Sequence, residues 1–211
     1  MRRSSPRTFG AIGVHPPHAE AGQRIGLLGG SFNPPHAGHL QISKIALSRL
    51  QLDRLWWLVS PGNPLKSKEG LPPFAERMAA CRDVVDDNRI VVTGFEAGLG
   101  TTYTAATLGY LCRRHPQVDF VWVMGADCLA DFHQWRLWRG IFKTLPIAVI
   151  DRPGWHLAAS ASIAARTFAA SRRPTGRSAG LATAPAPAWT LLTGPLSPLS
   201  STALRRQTGT S

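Results

Sequence analysis

The residue types best suited to chemistry stand together in one stretch, Gly29-Gly30-Ser31-Phe32-Asn33-Pro34-Pro35-His36-Ala37-Gly38-His39. His36 and His39 lie three apart, a spacing that lets both imidazoles converge on one phosphate as hydrogen-bond donors. Gly29 and Gly30 are expected to let the backbone approach a ligand and to take angles closed to other residues. His39 falls at the start of a helix, whose free N–H groups favour anions. Pro34-Pro35 stiffens the approach. A metal held by the two histidines is the alternative, but no third ligand of the right type lies nearby, and phosphate is the expected guest.

A second candidate group closes the chain. Ser200, Ser201 and Thr202 open a short helix and offer hydroxyls and free N–H groups. Arg205, one turn on, can fork onto a phosphate. Lys66, in the loop opened by Pro61-Gly62-Asn63-Pro64, can reach a phosphate as well. Asp127 follows the strongest strand signal and so stands at its ligand-facing end.

These residues need a scaffold, and the apolar pattern supplies one. Short apolar runs at 24–28, 55–59, 89–92, 120–124, 147–150 and 189–192 read as buried strands. Between them, 39–50, 74–85, 104–115 and 135–142 read as helices, part of 158–170 is helical, and 172–188 is a loose surface loop. Strands alternating with helices imply βαβ units. The expected fold is α/β, a Rossmann-like doubly wound and mostly parallel sheet with helices on both faces, in one domain over 24–206. Residues 1–23 form a disordered basic leader and 207–211 a short tail.

Length and charge narrow the function. A chain of 211 residues, 44% hydrophobic and 17% charged, buries a full core without staples. It has no run of about 18 apolar residues and no secretory signal, so no membrane span is expected. The net charge of +12 is concentrated at the ends. Residues 1–24 carry four Arg against one Glu, 152–211 carry seven Arg and no acid, and 25–151 carry thirteen basic against eleven acidic side chains. The ends lack interleaved aromatics, which leaves nucleic-acid binding as the lesser alternative. Cys81, Cys112 and Cys128 match no zinc or redox spacing and read as idle thiols in a reducing cytosol.

The glycine–histidine segment resembles the signature of the nucleotidyltransferases with a His-x-Gly-His motif. In its longer form it is similar to the branch that adenylylates nicotinate mononucleotide. Further anchors follow in that family's order: Pro61 to Lys66, Tyr103-Thr104 with Thr107-Leu108, Gly125-Ala126-Asp127, Trp135, Arg152-Pro153-Gly154, and Leu199 to Arg205. The resemblance implies a cytoplasmic transferase of NAD (pyridine nucleotide) biosynthesis. It moves AMP from ATP to nicotinate mononucleotide and releases pyrophosphate. Magnesium comes with the ATP, with no metal-ligating site of the protein's own. It further implies catalytic roles for His36, His39 and Arg205. ATP is expected at Gly29, Gly30, Ser31, Phe32, His36, Gly38, His39, Asp127, Ser200, Ser201, Thr202 and Arg205. The mononucleotide is expected at Asn33, Lys66, Thr104, Trp135 and Arg136, with Trp135 on the pyridine ring and Thr104, as a helix cap, at the carboxylate. The active form is a monomer or homodimer, and nicotinamide mononucleotide or phosphopantetheine are the alternative acceptors. Phosphopantetheine relatives carry Asp-Pro-x-Thr before Gly-His, where this chain has Asn33-Pro34-Pro35-His36.

Overall fold

A computed structural model describes residues 15–62 and 71–194. Lys66, the Ser200–Thr202 group, Arg205 and the tail lie outside these residues. Six strands form one sheet: β1 (Arg24–Gly30), β2 (Arg54–Val59), β3 (Ile90–Thr93), β4 (Asp119–Gly125), β5 (Ile147–Ile150) and β6 (Trp189–Leu192). Their order is β3-β2-β1-β4-β5-β6, and every pairing is parallel. That is the doubly wound order, and the chain reverses direction across the sheet between β1 and β4.

The strands are apolar at nearly every position because both faces are covered. Alternate side chains feed two cores. On one face Leu28, Trp57 and Val123 pack under α1 (Ala37–Arg49) and α2 (Phe74–Val84). On the other, Leu27, Trp56 and Trp122 meet α3 (Thr104–Arg114), α4 (Ala126–Ala130) and α5 (Trp138–Thr144). The short α6 (His156–Ser160) and α7 (Ile163–Thr167) complete that layer.

Several elements differ from expectation. The helix expected over 135–142 is broken: Phe132–Gln134 is a 3-10 turn, Leu137 takes a left-handed φ of 56°, and α5 starts only at Trp138. The apolar spacing of Trp135, Trp138 and Phe142 runs through the break and conceals it. The 158–170 segment is two five-residue helices, with Ser162 capping the second through the Ala165 N–H. The segment 172–188 is no loose loop. Leu181, Ala182 and Ala188 are buried, and the Ser178 hydroxyl donates to the Arg49 carbonyl at 3.0 Å. Small alanines make its apolar content easy to miss. Ordered packing also starts before residue 24: Ala19 packs on the core, and the Gly22 N–H donates to the Gln117 carbonyl at 2.7 Å.

Candidate active site

Ligands of doubly wound sheets bind beyond the carboxyl ends of the strands where the order reverses. Here β1 leads into the histidine loop and β4 into Asp127, so both reach that crevice. His36 is the N-cap of α1. Its Nδ1 accepts the Gly38 N–H at 3.1 Å, and His39 Nδ1 accepts the His36 N–H at 3.3 Å. The two rings lie 3.9 Å apart between centroids. With both Nδ1 atoms accepting, each neutral ring carries its proton on Nε2, which is left to donate.

The pair is held neutral. Burial, and then the Arg152 charge, lowers His36 to about 4 against a weaker upward pull from Asp127. Burial, His36 and Arg152 lower His39 to about 3. Behind them the packing is tight. Phe32, at a left-handed φ of 47°, places its buried ring 4.8 Å from His39 and stacks it on Trp57. The Ser43 hydroxyl accepts from Trp57 Nε1 at 2.8 Å and donates to the His39 carbonyl at 2.9 Å. Phe32 therefore supports His39 with a ring that is itself hidden from solvent.

Gly29 and Gly30 have a different reason from the one expected. Neither takes a positive φ; both belong to β1. A Cβ on Gly29 would come within 2.5 Å of the Trp122 ring, and one on Gly30 within 3.2 Å of Phe32. Their smallness makes room for aromatic side chains. Gly125 does the same for Asp127, whose Oδ1 a Cβ there would strike.

Asp127 Oδ2 accepts from Arg152 Nη1 at 2.8 Å, while its Oδ1 is buried without a partner. Arg152 follows β5, and its backbone N–H donates to Asp151 Oδ1 at 2.9 Å. The sequence pointed to Arg152 only as part of a turn. Its place just past the end of a strand beside the crossover was the available signal.

On the other flank, Trp135 is half-buried, edge-on to Trp122 and 4.9 Å from Phe132. The Arg136 guanidinium lies 4.5 Å over the Tyr103 ring. Thr104 is the first residue of α3 and not its cap; Tyr103 holds the cap position without a side-chain bond. Tyr103 and Arg136 thus bring the α3 start and the Trp135 segment together. Asn33 and Ser31 lie in the histidine loop, and Gly38 is buried in the first turn of α1. Among the described residues, no three His, Cys, Asp or Glu side chains are grouped to hold a metal.

The arrangement offers two neutral imidazole donors, a cation and a free carboxylate oxygen, which is equipment for handling phosphates and sugar hydroxyls. The cytidylyltransferase-like family model matches residues 27–207. A curated relative from Methylorubrum extorquens, named nicotinate-nucleotide adenylyltransferase, is 58% identical over 182 residues, covering 86% of this chain and 98% of its own. The chain belongs to the nicotinate-nucleotide adenylyltransferase family. A relative of the same name from Mesorhizobium japonicum is 54% identical over 190 residues, covering 90% of this chain and 97% of its own. The family's fold is matched in a solved structure, Plasmodium falciparum nicotinic acid mononucleotide adenylyltransferase complexed with NaAD. It has a TM-score of 0.67 at 18% identity, and the match covers 87% of this chain and 83% of that one. No helix among the described residues is long and apolar enough to cross a membrane.

Proposed function

We propose that the chain transfers the adenylyl group of ATP to nicotinate mononucleotide, forming the deamido form of NAD and pyrophosphate. A phosphate oxygen of the mononucleotide attacks the α-phosphorus of ATP. The bond from that phosphorus to the bridging oxygen breaks, and pyrophosphate leaves with the bond's electrons. The acceptor phosphate is already ionised at neutral pH, so no general base is needed. Catalysis then rests on alignment and on stabilising negative charge.

The observation that carries this reading is the histidine pair with both Nδ1 atoms engaged. Two fixed Nε2 donors at the crossover suit charge that builds on the α- and β-phosphates. Arg152 adds a cation beside them, and the partnerless Asp127 Oδ1 suits a ribose hydroxyl or an ordered water. Magnesium enters as part of the ATP substrate, since its usual ligands include the phosphate oxygens themselves. Outside the described residues, Lys66, Ser200, Ser201, Thr202 and Arg205 are assigned to the phosphates by their motifs.

The mononucleotide lies between Trp135, which stacks on the pyridine ring, and the N-terminus of α3 at Thr104. That terminus has no acidic residue in its first turn, and Arg136 stands at Tyr103 beside it. This positive setting favours the carboxylate of nicotinate over an amide. The reaction takes place in the cytosol on this reading, by a monomer or homodimer.

A pyrophosphate-release assay with magnesium and ATP tests the assignment. Nicotinate mononucleotide should turn over well and nicotinamide mononucleotide poorly. Equal rates with the two acceptors, or none with either, would sink it.

A further inference from the structure

Arg77 sits in α2 and is 2% exposed. Among the described residues no carboxylate pairs with it. Its guanidinium is spent on backbone carbonyls instead. Nη1 donates to Ser31 at 2.6 Å and to Ser60 at 2.8 Å, Nη2 to Pro61 at 3.4 Å, and Nε to Pro72 at 3.2 Å. The Phe74 ring lies 5.3 Å from its Cζ. Along the helix, burial pushes the Cys81 thiol up to about 12, so that neighbour is neutral.

The four carbonyls belong to three separate segments. Ser31 opens the loop that carries His36 and His39. Ser60 and Pro61 directly follow β2. Pro72 leads into α2. One planar fork joins them all, and a single Nη1 bridges the two loops at the strand ends.

Burying a guanidinium without a counter-charge is costly, and an arginine stays protonated there. A well-packed apolar side chain would anchor α2 at lower cost. An unneutralised cation behind two loops that face polyanions also adds a favourable field at the site. Packing alone explains neither the charge nor the choice of those carbonyls.

We propose that Arg77 is a positioning residue for adenylyl transfer: its fork fixes the histidine loop against the loop after β2 and so sets the alignment of the two substrates. The inference rests on the reaction assigned above. Arg77 is buried with its guanidinium committed to those carbonyls, so its loss should weaken alignment more than binding. A misplacement of about 1 Å can cost on the order of 100-fold in rate.

The test compares Arg77→Lys and Arg77→Met with the wild type, with rates expressed per folded molecule. Lysine keeps the charge but cannot span the carbonyls as a fork. Arg77→Lys should lower kcat by about 10- to 100-fold, with both KM values within about threefold of wild type. Arg77→Met should fall further. Arg82→Ala, on the exposed face of the same helix, should leave kcat unchanged. If Arg77→Met does not fold, Arg77→Lys decides alone. Wild-type kcat in Arg77→Lys, or a rise in KM with kcat intact, would overturn the proposal. A wild type that is silent with nicotinate mononucleotide would overturn the substrate assignment, and this inference with it. An active wild type with unaffected variants would overturn this inference alone.

Discussion

His36 and His39 set each other's geometry through the backbone: the His36 N–H donates to His39 Nδ1 at 3.3 Å, and the rings lie 3.9 Å apart. Each histidine thus has one nitrogen committed to the fold and one left to donate. Their two contributions can be separated by mutation.

His39→Ala should cut turnover by about two to three decades, the usual effect of losing one transition-state donor. It also removes one arm of the capping box, at a cost of about 1 kcal/mol of stability. His39→Asn should recover part of the stability and little of the rate. Rates per folded molecule, read beside thermal melts, check both. A large loss of melting temperature with wild-type turnover would make the histidine structural only.

The depressed histidines give stability a pH dependence of known sign. Between pH 6.5 and about 4 the unfolded chain takes up protons that folded His36 refuses. This contribution is fully present above pH 6.5 and is lost as pH falls toward 4, by on the order of 3 kcal/mol for His36. Glu96 runs the other way. Burial raises it to about 6, so its contribution is present below pH 4.5 and is lost as pH rises through 6. Urea melts across pH 4 to 7 should therefore show a steeper acid-side decline in wild type than in His36→Asn. Equal slopes would contradict the neutral pair.

Gly125→Ala should damage the site out of proportion to its size. The new Cβ would strike Asp127 Oδ1 and lie 3.0 Å from Arg152 Cδ. A loss of about 1–3 kcal/mol is expected from the overpacking, with turnover down by at least about tenfold. Gly140→Ala is the contrast. Its Cβ would meet nothing nearer than Leu137 Cβ at 3.9 Å, so alanine in α5 should stabilise by up to about 1 kcal/mol. Paired melts and assays of the two variants check the sign of each.

Removing residues 2–22 should be felt, although the segment has no periodic apolar face. It takes away the Gly22 bond to Gln117 and the packing of Ala19. About 1 kcal/mol is at stake, worth roughly 2–4 °C in melting temperature for a chain of this size. A truncation of residues 2–14 is the comparison. Identical melts for the two truncations would show that the contact contributes nothing.

The frame of the fold was legible because its strands are continuous apolar runs punctuated by glycine and proline. Val121 to Met124 and Ile147 to Ile150 left no other choice. The place of the histidine pair and of Asp127 past the ends of β1 and β4 was legible because each follows a strong apolar run. What escaped was what depends on three-dimensional neighbours. The bulk of Trp122 explains Gly29, and no local pattern links them. Arg77 does leave a trace in the sequence: it occupies the apolar stripe of α2 with Phe74, Met78 and Cys81. An arginine at a core position is a question that sequence can raise, but its answer needed the carbonyls of three segments.

The fit of Trp122 over Gly29 also bears on how such a chain can diverge. The same indole stands edge-on to Trp135, 6.3 Å between centroids, so it backs the ring assigned to the pyridine. A side chain at 29 is open only to a lineage that first shrinks 122, and shrinking 122 withdraws support from 135. The three positions should therefore drift together or stay put. A Gly29→Ala lesion should be rescued by a smaller residue at 122 sooner than by any change in the histidine loop.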